Sequence, residues 1–226
     1  MPPSPNEPVA SHPDPHSRSN PERVRVRHLA LDLEVSFERR SLSGTATLHV
    51  QRLDPGATRL LLDTRALEIA AVEAAEGERP WSPTGFDLGA ADPILGSALA
   101  VTLPPLADRV RIRYATRPEA SGLQWLSPPQ TAGRTHPFLF SQSQAIHARS
   151  WIPIQDSPGV RLTYEATIRT PPALRAVMSA AGNSTRERGG TYRFRMPQAI
   201  PAYLLALAVG DLDFASLGPQ IGRAHV

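Results

Sequence analysis

Residues 29–50 read LALDLEVSFERRSLSGTATLHV, and their periodicity decides the fold class. Leu29, Leu31, Leu33, Val35 and Phe37 alternate with Ala30, Asp32, Glu34, Ser36 and Glu38. Side chains two apart share one face of an extended chain, so this is the signature of a half-buried strand. Leu42, Gly44, Ala46, Leu48 and Val50 alternate in the same way with Ser43, Thr45, Thr47 and His49. A turn over Arg39–Ser41 then joins two antiparallel strands into a hairpin.

Outward from the hairpin the same grammar recurs. Short strands are predicted at Arg59–Asp63, Leu99–Leu103, Arg109–Ala115, Arg161–Arg169 and Thr191–Met196, each bounded by Pro, Gly, Asn or Asp. Tyr203–Val209 is a continuous apolar run, short enough for a strand buried on both faces, although periodicity alone does not separate that from a buried helix. Thr64–Glu78 has helix-forming composition, yet Leu67, Ile69 and Ala71 also alternate, and its neighbours favour a strand. The 24 prolines and 15 glycines among 226 residues disfavour long helices. The expected fold is all-β, with two packed sheets.

Residues 1–22 hold seven prolines and almost no large apolar side chains, so a disordered leader is expected, with the fold beginning near Val24. The longest apolar stretch, Ala199–Val209, contains Pro201 and is too short to cross a bilayer, so no membrane association is expected. No charged head followed by an apolar stretch opens the chain, which makes the cytoplasm the default compartment. Cysteine is absent, which excludes disulfides and thiolate chemistry. All 24 basic residues are arginine and the net charge is only +3. The arginines alternate along strands, as in Arg109, Arg111 and Arg113, instead of clustering with exposed aromatics, so nucleic acid is not an expected partner.

Without cysteine, histidine is the main candidate metal ligand. His12 and His16 have a helical spacing, but Pro13 and Pro15 forbid the helix. His28 and His49 fall on the exposed positions of the hairpin, and His136, His147 and His225 belong to no metal-binding spacing. No H-E-x-x-H, G-x-S-x-G or Walker loop occurs. The segment richest in information is Ser121–Pro158, SGLQWLSPPQTAGRTHPFLFSQSQAIHARSWIPIQDSP, whose tryptophans and phenylalanines demand packing. Within it Gln142 and Gln144 flank Ser143, so an extended backbone sends both carboxamides the same way. A carboxamide can accept a hydrogen bond from a ligand ammonium and donate one to a carbonyl. Arg149 and Asp156 read as a loop-bracing ion pair.

Phe140–Ile168, with Ala148-Arg149, Pro153 and Asp156-Ser157-Pro158, resembles zinc aminopeptidases of peptidase family M1. Gly122-Leu123-Gln124-Trp125-Leu126, Gln130-Thr131, His136-Pro137, Phe138–Gln142 and Gln144–His147 are similar to the leukotriene A4 hydrolase branch of that family. Leu42–Ala46 and Ile200–Gly210 agree in order and spacing. The resemblance implies a saddle-like, two-sheet amino-terminal domain over residues 23–220. The catalytic domain, with its zinc ligands and general-base glutamate, would lie beyond the chain, leaving this part inactive alone. It further implies that Gln142, Ser143 and Gln144 line the substrate cleft and bind a peptide's amino terminus, with Gln144 foremost. The branch usually has cysteine where Ser143 stands. A stand-alone, non-catalytic β-sandwich binding module is the alternative expectation. Ile221–Val226, IGRAHV, resembles translated sequencing adapter and is expected to be an artefact.

Overall fold

A computed structural model of the protein describes residues 14–182, 185, 187 and 189–214. The strands, in chain order, are β1 (Val24–Ser36), β2 (Ser41–Arg52), β3 (Arg59–Thr64), β4 (Glu68–Ala75), β5 (Ser82–Pro83), β6 (Phe86–Leu88), β7 (Ser97–Thr102) and β8 (Arg109–Ala115). They continue as β9 (Leu123–Leu126), β10 (Phe138–Ser141), β11 (Arg161–Arg169), β12 (Arg175–Met178), β13 (Ala181–Gly182), β14 (Thr191–Pro201) and β15 (Leu207–Gly210). The all-β class holds, but the strands divide among three sheets where two were expected. An eight-stranded sheet has the order β13-β14-β11-β1-β2-β8-β4-β5, a four-stranded sheet β12-β15-β10-β9, and a three-stranded sheet β3-β7-β6.

The hairpin forms the centre of the large sheet. Leu29 pairs with Leu48, Leu31 with Ala46 and Leu33 with Gly44, and all but Gly44 are buried. Gly44 is required by closeness: a Cβ there would lie 2.0 Å from the Asp32 carbonyl oxygen. The turn begins two residues earlier than expected and ends one earlier, over Phe37–Arg40. Arg40 takes a left-handed φ of 48°, and Phe37 leaves the strand to pack edge-on against Trp125, with ring centroids 5.4 Å apart. On its other side β1 runs parallel to β11, from His28↔Thr163 to Glu34↔Arg169. Above that start β1 has no strand neighbour on this side, and Gln155 substitutes for one: its Nε2 donates to the Val24 oxygen at 2.7 Å and its Oε1 accepts from the Val26 N–H at 3.0 Å.

Within the ambiguous segment 64–78, Glu68–Ala75 forms β4, as its neighbours suggested. The expected strand at 203–209 is a correction. Ala202–Leu204 makes a single 3-10 turn and only Leu207–Gly210 is extended. Leu205, Leu207 and Val209 are buried while Leu204 is 48% exposed, so this run is half-buried and alternating, not buried on both faces. The leader also departs from expectation. From Asp14 onward it is fastened to the domain, because its polar groups satisfy buried ones: Asn20 donates to the Arg59 oxygen and accepts from the Leu61 N–H, and Ser17 and the Arg18 N–H donate to Asp63. Residues 1–13, with His12, and residues 221–226, with His225, lie outside the described residues. Among the described residues no helix is long and apolar enough to cross a membrane.

Candidate functional site

The segment 121–158 contains two strands that its composition did not announce. β9 and β10 pair antiparallel, Leu139 opposite Trp125, and β10 is flanked on its other edge by β15. Each has only four residues, too few to display a period. Beyond Ser141 the chain leaves β10 and turns back through residues 142–147. The turn is closed by the Gln142 N–H donating to the Gly122 oxygen and the His147 N–H donating to the Ser143 oxygen, both at 2.8 Å. The Gln144–Ala145 peptide bond is cis.

This turn sorts the three expected site residues. Gln142 and Gln144 are exposed, while Ser143 between them is buried. The Ser143 hydroxyl donates to the Leu205 oxygen at 2.6 Å and accepts from the Trp151 indole N–H at 3.1 Å. Its one proton is therefore committed to the fold, tying the turn to Leu205 ahead of β15, and it also anchors the buried Trp151. The two carboxamides are left at the surface, one on each side of that anchor in the chain. Ser141, at the root of the turn, lines a groove of about 410 Å³ with Phe138, Phe140, Val177, Met178 and Leu207. Gln142 and Gln144 stand outside it.

Behind the turn His147, which the sequence offered only as a histidine outside any metal-binding spacing, joins a polar set with Ser121 and Ser150. Ser121 Oγ and His147 Nδ1 share a hydrogen bond of 2.9 Å. Burial, with Arg65 and Arg149 adding to it, holds the His147 imidazole below its ordinary pKa range. Ser150 Oγ donates to the His147 oxygen and accepts from the Gly122 N–H, each at 2.8 Å. Gly122 must be glycine, since a Cβ would stand 2.6 Å from that same oxygen.

The 3-10 turn Ala148–Ser150 delivers Arg149 into the interior, fully buried. Its Nε donates to Asp156 Oδ2 at 3.1 Å, and its terminal nitrogens donate to the carbonyl oxygens of Leu95 at 2.9 Å and His16 at 2.7 Å. Asp63, also buried, lies 3.8 Å from the guanidinium and accepts from the Asp156 N–H, Ser17 Oγ and the Arg18 N–H. One cation thus joins the leader, β3 and the 148–157 stretch, the bracing role expected for Arg149 and Asp156. Burial outweighs Arg149 at Asp156, whose carboxyl is pushed up to about 6. Asp63 was legible only as an acidic residue ending an apolar strand, and Ser17, Asn20 and Gln155 gave no periodic signal.

Among the described residues no group of three or more histidine, aspartate or glutamate side chains could hold a metal ion. What the geometry offers is a turn, tied down by the buried Ser143, that carries two exposed carboxamides.

Comparison with known proteins places the chain in a family. The model of the Peptidase M1 N-terminal domain matches residues 25–204. The chain is 39% identical over 217 residues to leukotriene A-4 hydrolase of Xenopus laevis, covering 92% of this chain and 35% of that protein. It is 39% identical over 231 residues to human aminopeptidase B, covering 92% of this chain and 34% of that protein. Yeast LTA4 hydrolase in complex with bestatin superposes with a TM-score of 0.84 at 34% identity, over 95% of this chain and 33% of that one. An M1 zinc metallopeptidase from Deinococcus radiodurans gives 0.68 at 25% identity, over 87% of this chain and 44% of that one. The chain therefore spans about a third of the length of the curated relatives it matches. The matching domain model, the sequence relatives and the superposed structures converge on one assignment: the chain belongs to the peptidase M1 family, whose amino-terminal domain it comprises.

Proposed function

We propose that this domain positions substrate for a cytosolic, leukotriene A4 hydrolase-like zinc aminopeptidase that removes amino-terminal residues from peptides. Gln142 and Gln144 present amide oxygens to the free ammonium of the peptide, and Ser143 contributes by holding their turn in place. The observation that carries this reading is the turn itself: two exposed carboxamides around a buried, doubly bonded Ser143, in a chain 39% identical to a leukotriene A-4 hydrolase.

An amide oxygen aimed at an ammonium registers the chain end, and a turn that does not move retains more of the binding free energy as alignment. The metal belongs, in this reading, to the catalytic domain outside the chain, consistent with the donor set here: neutral amides and a hydroxyl already bonded. A bound zinc ion supplies an activated water and a polarised carbonyl. This domain's residues bind and orient; the glutamines hold no proton that the reaction needs.

Recovering the downstream coding sequence tests the reading. The completed protein is expected to contain an H-E-x-x-H followed by a further glutamate and to release amino-terminal residues from short peptides. Gln144→Ala in that protein should lower kcat/KM by about tenfold, the worth of one hydrogen bond to a charged group. A downstream sequence without the zinc motif overturns the assignment, and unchanged kinetics remove Gln144 from the site.

A further inference from the structure

On the solvent side of the eight-stranded sheet the hairpin opposes two imidazoles. His28 and His49 are direct partners across β1 and β2. Their ring centroids are 5.2 Å apart with planes at 89°. Two imidazoles that each reach one metal ion at about 2.0–2.1 Å with near-tetrahedral angles have centroids about 5 Å apart, so the spacing suits a shared ion.

The pairing is a product of an irregularity. The β1–β2 register shifts between Val26 and His28, inserting Arg27 as an extra residue. Val26 and Leu29 are both fully buried, so Arg27 and His28 lie together off the core face, which an unbroken alternation would forbid. The bulge is what brings His28 opposite His49, and bulges commonly re-aim side chains in this way.

His28 is also oriented from behind. Its Nδ1 shares a hydrogen bond of 2.8 Å with Thr163 Oγ1 on the parallel neighbour β11. In the tautomer with the proton on Nδ1, Thr163 accepts and the Nε2 lone pair is left for a ligand, the arrangement in which an outer hydroxyl fixes a metal-binding imidazole. Arg109 pairs with His49 from β8, but its guanidinium lies over the Trp81 ring at 4.9 Å instead of over the imidazoles.

We propose that His28 and His49 form a two-imidazole chelate for a divalent transition-metal ion of the copper(II) or zinc(II) class, with water completing the coordination. No third histidine or carboxylate closes on the pair among the described residues, which makes this a weak, exchangeable site of a different kind from a catalytic zinc centre. Copper(II) is expected to bind more tightly than zinc(II), following the general affinity order for nitrogen ligands. An ion held there would bridge β1 and β2, the middle strands of the largest sheet. The inference is independent of the aminopeptidase reading.

The test uses the untagged chain titrated with copper(II) and zinc(II) chloride by calorimetry, alongside thermal unfolding with and without metal. One equivalent of copper(II) should bind and raise Tm, since a ligand specific to the folded state stabilises it. Both effects should vanish in His49→Gln, a change at an exposed position, and in His28→Gln. Thr163→Val should weaken binding about tenfold, as loss of an orienting partner does. The variant His12→Gln/His16→Gln should bind like the parent. Retention of the equivalent in His49→Gln, or its loss in the His12/His16 variant, overturns the proposal, as does no saturable binding in the parent. If His28→Gln does not fold, His49→Gln still decides.

Discussion

The β1–β2 hairpin and the 121–158 segment both reach into the core, yet they are stabilised by opposite means. The hairpin spreads its stability over many interchangeable apolar contacts: Leu29, Leu33, Leu42 and Leu48 are each wholly inaccessible, and any one is a modest share of the total. The segment concentrates it in a few polar groups, Arg149, Asp156, Ser143 and Ser150, each satisfied by several partners and each costly to leave unpaired. The turn that carries the two exposed amides is held by the second strategy, because directional bonds fix a turn more tightly than hydrocarbon does.

The contrast can be broken most directly at Arg149. Arg149→Met leaves Asp63 and Asp156 buried without their cation and should lower unfolding free energy by about 4 kcal/mol in urea titrations; a loss under about 1 kcal/mol would mean that the segment is not held by charge. The same network imposes a pH signature. Because burial raises the folded-state carboxyl of Asp156 from 3.8 to about 6, the folded state binds the extra proton between those values. The stability that this proton contributes is therefore complete below 3.8 and lost as pH rises through about 6. The slope should reach at most about 1.4 kcal/mol per pH unit, and Asp156→Asn should flatten it in denaturation midpoints measured across the window.

In the hairpin, Leu48→Ala should cost about 3 kcal/mol through lost burial and a residual cavity, with no change in the pH profile; a changed profile would couple the two regions. Ser143→Ala removes the acceptor of the Trp151 N–H and should cost about 2 kcal/mol, a difference readable in the same titrations. The smallest effect falls one residue away. Gln144→Ala, at an exposed position, should shift stability by less than about 0.5 kcal/mol, and a larger loss would show that its amide serves the fold.

The same division governs what could be read from the chain. Long amphipathic strands announce themselves: β1, β2, β8 and β11 repeat an inward residue at every second position for seven residues or more. β9, β10 and β12 have four residues each, and a period of two hardly appears in so short a run. Ser143 could be placed beside Gln142 and Gln144, but nothing in the local sequence distinguishes a hydroxyl pointing at Leu205 from one facing solvent. The leader misled because proline-rich composition argues against a core, whereas residues 14–22 are held by polar groups meeting buried partners of β3 and Arg149. Such pairings join positions far apart in the chain and leave no periodic trace.

Gln155 shows how a sheet can lose a strand in its interior. Val24 and Val26, at the start of β1, are fully buried, so without a partner the C=O of the one and the N–H of the other would be stripped of water and left unpaired. A single carboxamide, bonding to Val24 and Val26, stands in for the missing backbone. The ladder thus stops inside the molecule without a polar gap, a task otherwise given to an enclosed water.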